Sequence, residues 1–197
     1  MAVIVIGGQS RRVGKTSLVA GIIAALPQYR WSAFKITPHG HGLADGGQNA
    51  TWAISDETDR SGNSDTSRFL AAGAERAFLV RTIPGRFAEA MPAVRQKLEE
   101  STNAIVESNS LLRFLKPDLY LLIIDPSVAD FKSSASDFLD RADALIVHRT
   151  PGSDRPSSIP PAANQPVFLI TPPEYVTPQI VEFVKKALAP PSPATGQ

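Results

Sequence analysis

A lysine and a threonine stand side by side in the segment GKTS at residues 14–17. The segment follows the apolar run Val3–Ile6 and a turn that begins with two glycines. A lysine at the start of a helix can bind the β- and γ-phosphates of a nucleotide, and a hydroxyl beside it can bind Mg²⁺. The dipole and the free N–H groups of the helix start favour the same anion. The segment therefore predicts a phosphate-binding P-loop, and the alternative is an ordinary glycine-rich turn.

The residues from position 8 to position 17 form the predicted nucleotide-binding loop. They are Gly8, Gln9, Ser10, Arg11, Arg12, Val13, Gly14, Lys15, Thr16 and Ser17. We expect Lys15 to act in catalysis, Thr16 to bind the metal, and Ser17 to reach the α-phosphate. The spacing is unusual, because the common P-loop pattern has Gly where this chain has Gln9.

The stretch GGQSRRVGKTS resembles the P-loop of dethiobiotin synthetases and cobyrinic acid amidating synthetases, which is one residue longer than the common one. These enzymes belong to the SIMIBI class of P-loop NTPases. Members related to the cell-division regulator MinD carry an additional lysine where this chain has Ser10, so their lysine mechanism does not transfer. Arg11 and Arg12 either replace that lysine in part or are solvated charges that steer the ligand.

Two later stretches, AFKITPHGHG and GNSDTSRFLAAGA, resemble the adaptor family of molybdopterin-guanine-dinucleotide biosynthesis. The resemblance implies that Lys35 faces the phosphates or an acidic substrate, with a catalytic role, and that Asp65 approaches Mg²⁺. The alternatives are an exposed charge at a strand end for Lys35 and a helix N-cap for Asp65.

The stretch NAIVESNSLL places Glu107 at the end of an apolar strand, where a carboxylate suits a hard cation. The dethiobiotin synthetases and the adaptor family both have V-E-G here, with the glutamate near the metal. This chain has Ser108 in place of the glycine. It also lacks the G-A-G-G that dethiobiotin synthetases use at their substrate, which weighs against a ligase. The predicted metal ligands are thus Thr16, Asp65 and Glu107, and a helix-capping role is the alternative for Glu107.

Apolar strands alternate with helix-like segments along the chain, which predicts a three-layer α/β fold with a mostly parallel sheet and helices on both faces. Ligands of such sheets bind at the carboxyl ends of the strands. Predicted strands cover residues 3–6, 31–36, 77–82, 104–107, 119–124, 144–148 and 167–171, and predicted helices lie near 16–26, 65–74, 87–98 and 180–188. A loop is expected from Thr37 to about Ser64.

Several polar residues have less defined roles. His39 and His41 either bind a metal or are simply solvated. Asp130 caps the following helix or, like Lys132, faces a ligand. Arg149 stacks on a purine or faces solvent, so the choice between ATP and GTP stays open. Asp125, like Asp130, is placed to face a ligand, and His148 precedes Arg149 at the end of a predicted strand.

The composition fits one globular domain, which we expect, from the P-loop, to be a nucleotide-binding domain at residues 1–188. A disordered Pro-rich tail is expected at residues 189–197. The 197 residues are 43% hydrophobic, carry a formal net charge of +1 and include no cysteine. We expect a cytoplasmic protein that binds neither membrane nor nucleic acid. The predicted function is Mg²⁺-dependent binding and slow hydrolysis of ATP or GTP, as an adaptor in cofactor biosynthesis with a protein partner or as a homodimer. The alternatives are an ATP-dependent ligase and a non-enzymatic, nucleotide-switched partner module.

Overall fold

A computed structural model describes residues 1–38, 50–149 and 165–189. Strands and helices alternate through most of this part of the chain, with three short 3₁₀ turns between them. The strands are β1 (Val3–Gly8), β2 (Trp31–Pro38), β3 (Trp52–Asp56), β4 (Arg76–Thr82), β5 (Asn103–Glu107), β6 (Leu119–Ile124), β7 (Ala144–His148) and β8 (Val167–Ile170). The helices are α1 (Lys15–Ala25), α2 (Asp65–Ala71), α3 (Phe87–Glu99), α4 (Ser133–Ser136) and α5 (Pro178–Leu188).

The strands form one sheet in the order β3-β4-β2-β5-β1-β6-β7-β8. All neighbours are parallel except β3, which runs antiparallel to β4 at the edge. The register aligns Glu107 with Ile6 on one side and with Lys35 on the other. The carboxyl ends of β1, β2 and β5 therefore meet at one edge of the sheet and bring their polar residues together.

Each face of the sheet is covered by its own apolar core. One core packs α3 against the sheet through residues such as Phe87 and Val94. The other packs α1, α2 and α5 through residues such as Ile22, Phe69 and Ile180. Because the central strands are buried on both faces, they consist of nearly continuous apolar residues. The predicted three-layer α/β fold is confirmed.

The long loop predicted from Thr37 to Ser64 is wrong in one part, since β3 lies within it. Trp52 and Ile54 are half-buried and pack against the first core, while Asp56 is exposed. This edge strand has only a short alternation of apolar and polar residues, which the surrounding glycines and acidic residues obscure. α2 also ends three residues earlier than predicted, at Ala71, close to Gly73 with its left-handed φ of 107°.

The histidines His39 and His41 and the tail at residues 190–197 lie outside the described residues. Their predicted roles stay predictions. Within the described ranges, the helices are too short or too polar for any of them to cross a membrane.

Candidate functional site

The turn between β1 and α1 has the shape that a phosphate-binding loop needs. Gly14 forms the N-cap of α1 with a φ of 96°, a left-handed conformation that glycine adopts without steric cost. No side chain caps this helix. The N–H groups of its first turn therefore face the cavity described below without a competing side-chain acceptor, together with the positive end of the helix dipole.

Lys15 lies across this turn, and its Nζ donates to the Ser10 carbonyl oxygen at 2.7 Å. Burial lowers the pKa of Lys15 to about 8, although the nearby carboxylate of Glu107 acts in the opposite direction. An anion beside this ammonium would favour its charged form. A negatively charged ligand would therefore raise the pKa of Lys15 and keep its ammonium charged.

Four side chains from four elements form a charged cluster next to Lys15. The Thr16 hydroxyl donates to one Glu107 oxygen at 2.7 Å, and Lys35 Nζ lies 2.7 Å from the other. The same Nζ also lies 2.7 Å from an Asp65 oxygen. Burial alone would lower the pKa of Lys35, but the two carboxylates outweigh it and the pKa is raised. The carboxylate oxygens of Glu107 and Asp65 therefore stabilise a positive charge at this position.

The structural alternatives for these residues are wrong. Ser64, not Asp65, is the N-cap of α2, and it forms a reciprocal capping box with Ser67. Lys35 is not an exposed strand-end charge, since only 18% of its side chain is accessible. Glu107 is 5% exposed and accepts hydrogen bonds from the Thr16 and Lys35 side chains. All the predicted catalytic and metal-binding residues are therefore brought together at one point.

A cavity of about 690 Å³ opens over this cluster. Its basic side chains outnumber the acidic ones, a balance that favours a polyanionic ligand. The basic residues lining it are Arg11, Arg12, Lys15, Lys35, Arg68 and Lys132, and the acidic ones are Asp65 and Glu107. Among the described residues, no three or more His, Cys, Asp or Glu side chains form a group that could hold a metal without other donors. Hydroxyl or ligand oxygens would have to complete any metal site here.

Three residues of the predicted nucleotide-binding loop, Gln9, Ser10 and Val13, do not line this cavity. Gln9 is 4% exposed and points into the loop after β6. Its Nε2 donates to the Val128 carbonyl at 2.6 Å, and its Oε1 accepts from the Asp125 N–H at 3.0 Å. The prediction that Gln9 contacts the nucleotide is therefore wrong for its side chain, which braces the loop instead.

Asn109 and Arg68 are among the residues of this site that sequence reasoning missed. Asn109 exchanges two hydrogen bonds with the Gly8 backbone, at 2.8 and 2.9 Å, and so fixes the start of the loop. Arg68 donates to the Ser17 hydroxyl at 3.0 Å and lines the cavity. Arg68 lies three positions after Asp65, a spacing that places both on one face of α2. That spacing is the signal that could have identified it.

The residues after β6, β7 and β8 differ in their relation to the cavity. Lys132 and Tyr175 line it, whereas the exposed Arg149 does not. His148 Nε2 lies 3.0 Å from the Val13 carbonyl oxygen and supports the P-loop from below. The prediction that Asp130 caps the next helix is wrong, because Lys132 is the N-cap of α4 and provides no side-chain hydrogen bond.

Sequence comparisons identify no relative, since no family model and no curated protein matches the chain. Solved structures do resemble it. LpxK from Aquifex aeolicus, described as an "apo" form in complex with ATP, matches 86% of this chain at 19% identity and a TM-score of 0.50. This chain spans only about half of that structure, 53% of its length.

Two further structures match nearly the whole chain at lower scores. HypB from Helicobacter pylori, in complex with nickel, covers 94% of this chain and 84% of its own at 14% identity and a TM-score of 0.46. MobB from Bacillus subtilis covers 95% and 97% at 12% identity and a TM-score of 0.44. The strand order and the turn between β1 and α1 agree with the likeness to LpxK. The chain has the α/β fold of a P-loop NTPase.

Proposed function

We propose that the chain binds a nucleoside triphosphate, ATP or GTP, together with Mg²⁺, and hydrolyses it slowly. The observation that carries this proposal is the cluster of Thr16, Lys35, Asp65 and Glu107 beside the P-loop lysine, Lys15. The lysine and the free N–H groups of α1 would bind the β- and γ-phosphates. Hydrolysis would depend mainly on positioning the phosphates and stabilising their charge.

The donor set of the cluster suits Mg²⁺. A hydroxyl and two carboxylates are hard oxygen ligands, and Mg²⁺ usually binds through one or two carboxylates while keeping several waters. Lys35 Nζ, 2.7 Å from both carboxylates, already places a positive charge among these oxygens. Thr16, Asp65 and Glu107 would hold the ion, which when bound would neutralise charge on the phosphates. Lys35 would then be free to contact the phosphates as a second cation.

For the cellular role, we propose an adaptor in the biosynthesis of molybdopterin guanine dinucleotide, in the cytoplasm, acting with a protein partner or as a homodimer. Support for this role comes from the stretches AFKITPHGHG and GNSDTSRFLAAGA, which occur in the order found in that family. Lys35 and Asp65 lie in these two stretches, and their ammonium and carboxylate groups are in contact.

A second candidate is an ATP-dependent ligase that uses a small acidic substrate. The excess of basic side chains around the cavity favours it, because Arg11, Arg12 and Lys132 add positive charge beyond the P-loop lysine and the metal cluster. Incubation with ATP, Mg²⁺ and a panel of carboxylate and amine substrates would distinguish the two. Formation of a ligated product supports the ligase, whereas hydrolysis that only a protein partner accelerates supports the adaptor.

Calorimetric titration of ATP and GTP, each with and without Mg²⁺, tests the proposed binding. We expect the wild-type protein to bind at least one triphosphate in a Mg²⁺-dependent way and Lys15→Ala to lose at least about tenfold in affinity, the loss of one charge-assisted contact. Lys186→Ala is the matched control, since Lys186 is exposed in the last turn of α5. Equal affinity of the folded Lys15→Ala protein and the control would refute the P-loop assignment.

A further inference from the structure

The strand order separates the two sides of the cavity. The charged cluster lies at the ends of β2 and β5, on one side of β1, while β6, β7 and β8 follow on the other side. Mg²⁺ held by Thr16, Asp65 and Glu107 would neutralise charge on the terminal phosphates at this side of the cavity. If the terminal phosphates lie at the β2–β5 side, the α-phosphate and the nucleoside extend toward β6–β8.

Tyr175 lines the cavity on the side of β7 and β8. It follows β8, and its ring packs so tightly on the start of α1 that a Cβ atom at Gly14 would be 2.0 Å from the ring carbon Cε1. The edge of His148, at the end of β7, contacts the ring with 5.9 Å between centroids and an interplanar angle of 69°. The ring is thus held between α1 and β7 and still borders the cavity.

The lining of the cavity is mostly charged or polar, and Tyr175 is the aromatic residue among the described residues that line it. Each nucleobase has a π-face that stacks on an aromatic ring regardless of its hydrogen-bonding edge. A ring that is already fixed in place costs little conformational entropy when a ligand binds to it. The position and chemistry of Tyr175 are those of a base-stacking surface.

We propose that the Tyr175 ring forms the nucleobase subsite and that the base of the bound triphosphate stacks on it. This inference rests on the proposed nucleotide binding and extends it, because it assigns the residue that separates a nucleotide from a bare polyphosphate. Arg149, which follows β7, is exposed and does not line the cavity.

The test compares two ligands, a Mg²⁺–nucleoside triphosphate and Mg²⁺–tripolyphosphate, which has the phosphates but no base. Binding to wild type, Tyr175→Phe and Tyr175→Leu is measured by calorimetry, and melting temperatures confirm that each variant is folded. We expect Tyr175→Leu to lose about 5- to 150-fold in affinity for the nucleotide, the range for one stacked base. Its affinity for tripolyphosphate should stay unchanged, and Tyr175→Phe should bind both ligands like wild type.

Tyr175→Trp provides a second readout, because the indole would report a stacked base directly. The fluorescence that this variant gains over wild type, which already holds Trp31 and Trp52, should be quenched by the nucleotide and not by tripolyphosphate. A Tyr175→Leu protein that binds both ligands as wild type does, or that loses both equally, overturns the base subsite, since an equal loss means that the ring only shapes the phosphate loop. Wild-type binding of tripolyphosphate without nucleotide preference also overturns it and leaves the phosphate site intact. Binding of neither ligand to wild type refutes the proposed function itself.

Discussion

Replacing Lys35 with methionine should expose the electrostatic cost of the carboxylate cluster. Methionine keeps most of the apolar stem but removes the ammonium that lies 2.7 Å from both Glu107 and Asp65. The Glu107 side chain is only 6% exposed, and without the Lys35 ammonium it would keep its contact with the Thr16 hydroxyl. The Asp65 side chain, at 44% exposure, can be hydrated instead. The loss should therefore come mainly from Glu107.

Removing one partner of a buried ion pair costs about 3–5 kcal/mol of unfolding free energy. We expect the low end, about 3 kcal/mol, because Glu107 borders an open cavity and the Asp65 contact is exposed enough to contribute little. For a domain of this size, that loss corresponds to a melting temperature lower by about 6–12 °C. Urea and thermal unfolding at neutral pH in EDTA measure it.

The source of this loss can be identified with a second substitution. Glu107→Gln in the Lys35→Met background removes the uncompensated charge and should restore most of the lost stability, giving a favourable coupling energy in the double-mutant cycle. Millimolar Mg²⁺ should raise the melting temperature of Lys35→Met by binding in place of the ammonium. A Lys35→Met protein that melts within about 1 °C of wild type, or that Glu107→Gln fails to restore, would refute the reasoning.

Two further predictions concern α2 and the segment before it. Arg68→Gln should weaken triphosphate binding roughly tenfold, the low end for loss of a charge-assisted hydrogen bond. The exposed Arg149→Gln is its matched control in the same calorimetric titration, and equal affinities would contradict a ligand contact. Glu57 accepts from the Thr66 hydroxyl and from backbone N–H groups, which lowers its pKa. Its stabilising effect is complete above the ordinary carboxyl pKa of about 4.3 and is lost as the pH falls through the lower value of the folded state. Urea midpoints of wild type should therefore fall more steeply between about pH 5 and pH 2 than those of Glu57→Gln, and parallel curves would disprove the link.

The site was largely predictable because its main residues follow apolar strands. Parallel strands end at the same edge, so Lys35 and Glu107 could be placed together before their register was known. The P-loop and its helix were recognisable from local sequence alone. These features depend on short-range pattern and on one general property of parallel sheets.

The contacts that sequence reasoning missed depend on the strand order and on side-chain direction. Tyr175 reaches Gly14 only because β8 is the last strand on that side and the chain then returns over α1. Asn109 acts on Gly8 because β5 neighbours β1, a long-range pairing that no local pattern reveals. The edge strand β3 was missed for a simpler reason, since its five residues alternate only weakly.

The Gln9 side chain has a consequence for the energetics of the turn that carries it. Loops that bind phosphate are usually rich in glycine, and glycine loses more backbone freedom than any other residue when it is ordered. Here the Gln9 side chain fixes the turn to the loop after β6 through hydrogen bonds to the backbone of Asp125 and Val128. The Gln9 carbonyl also accepts from the Lys132 N–H at 3.0 Å. The ordering of this turn is thus completed when the chain folds. An anion would therefore bind to a loop that is already ordered, and little of its binding free energy would be lost to ordering that loop.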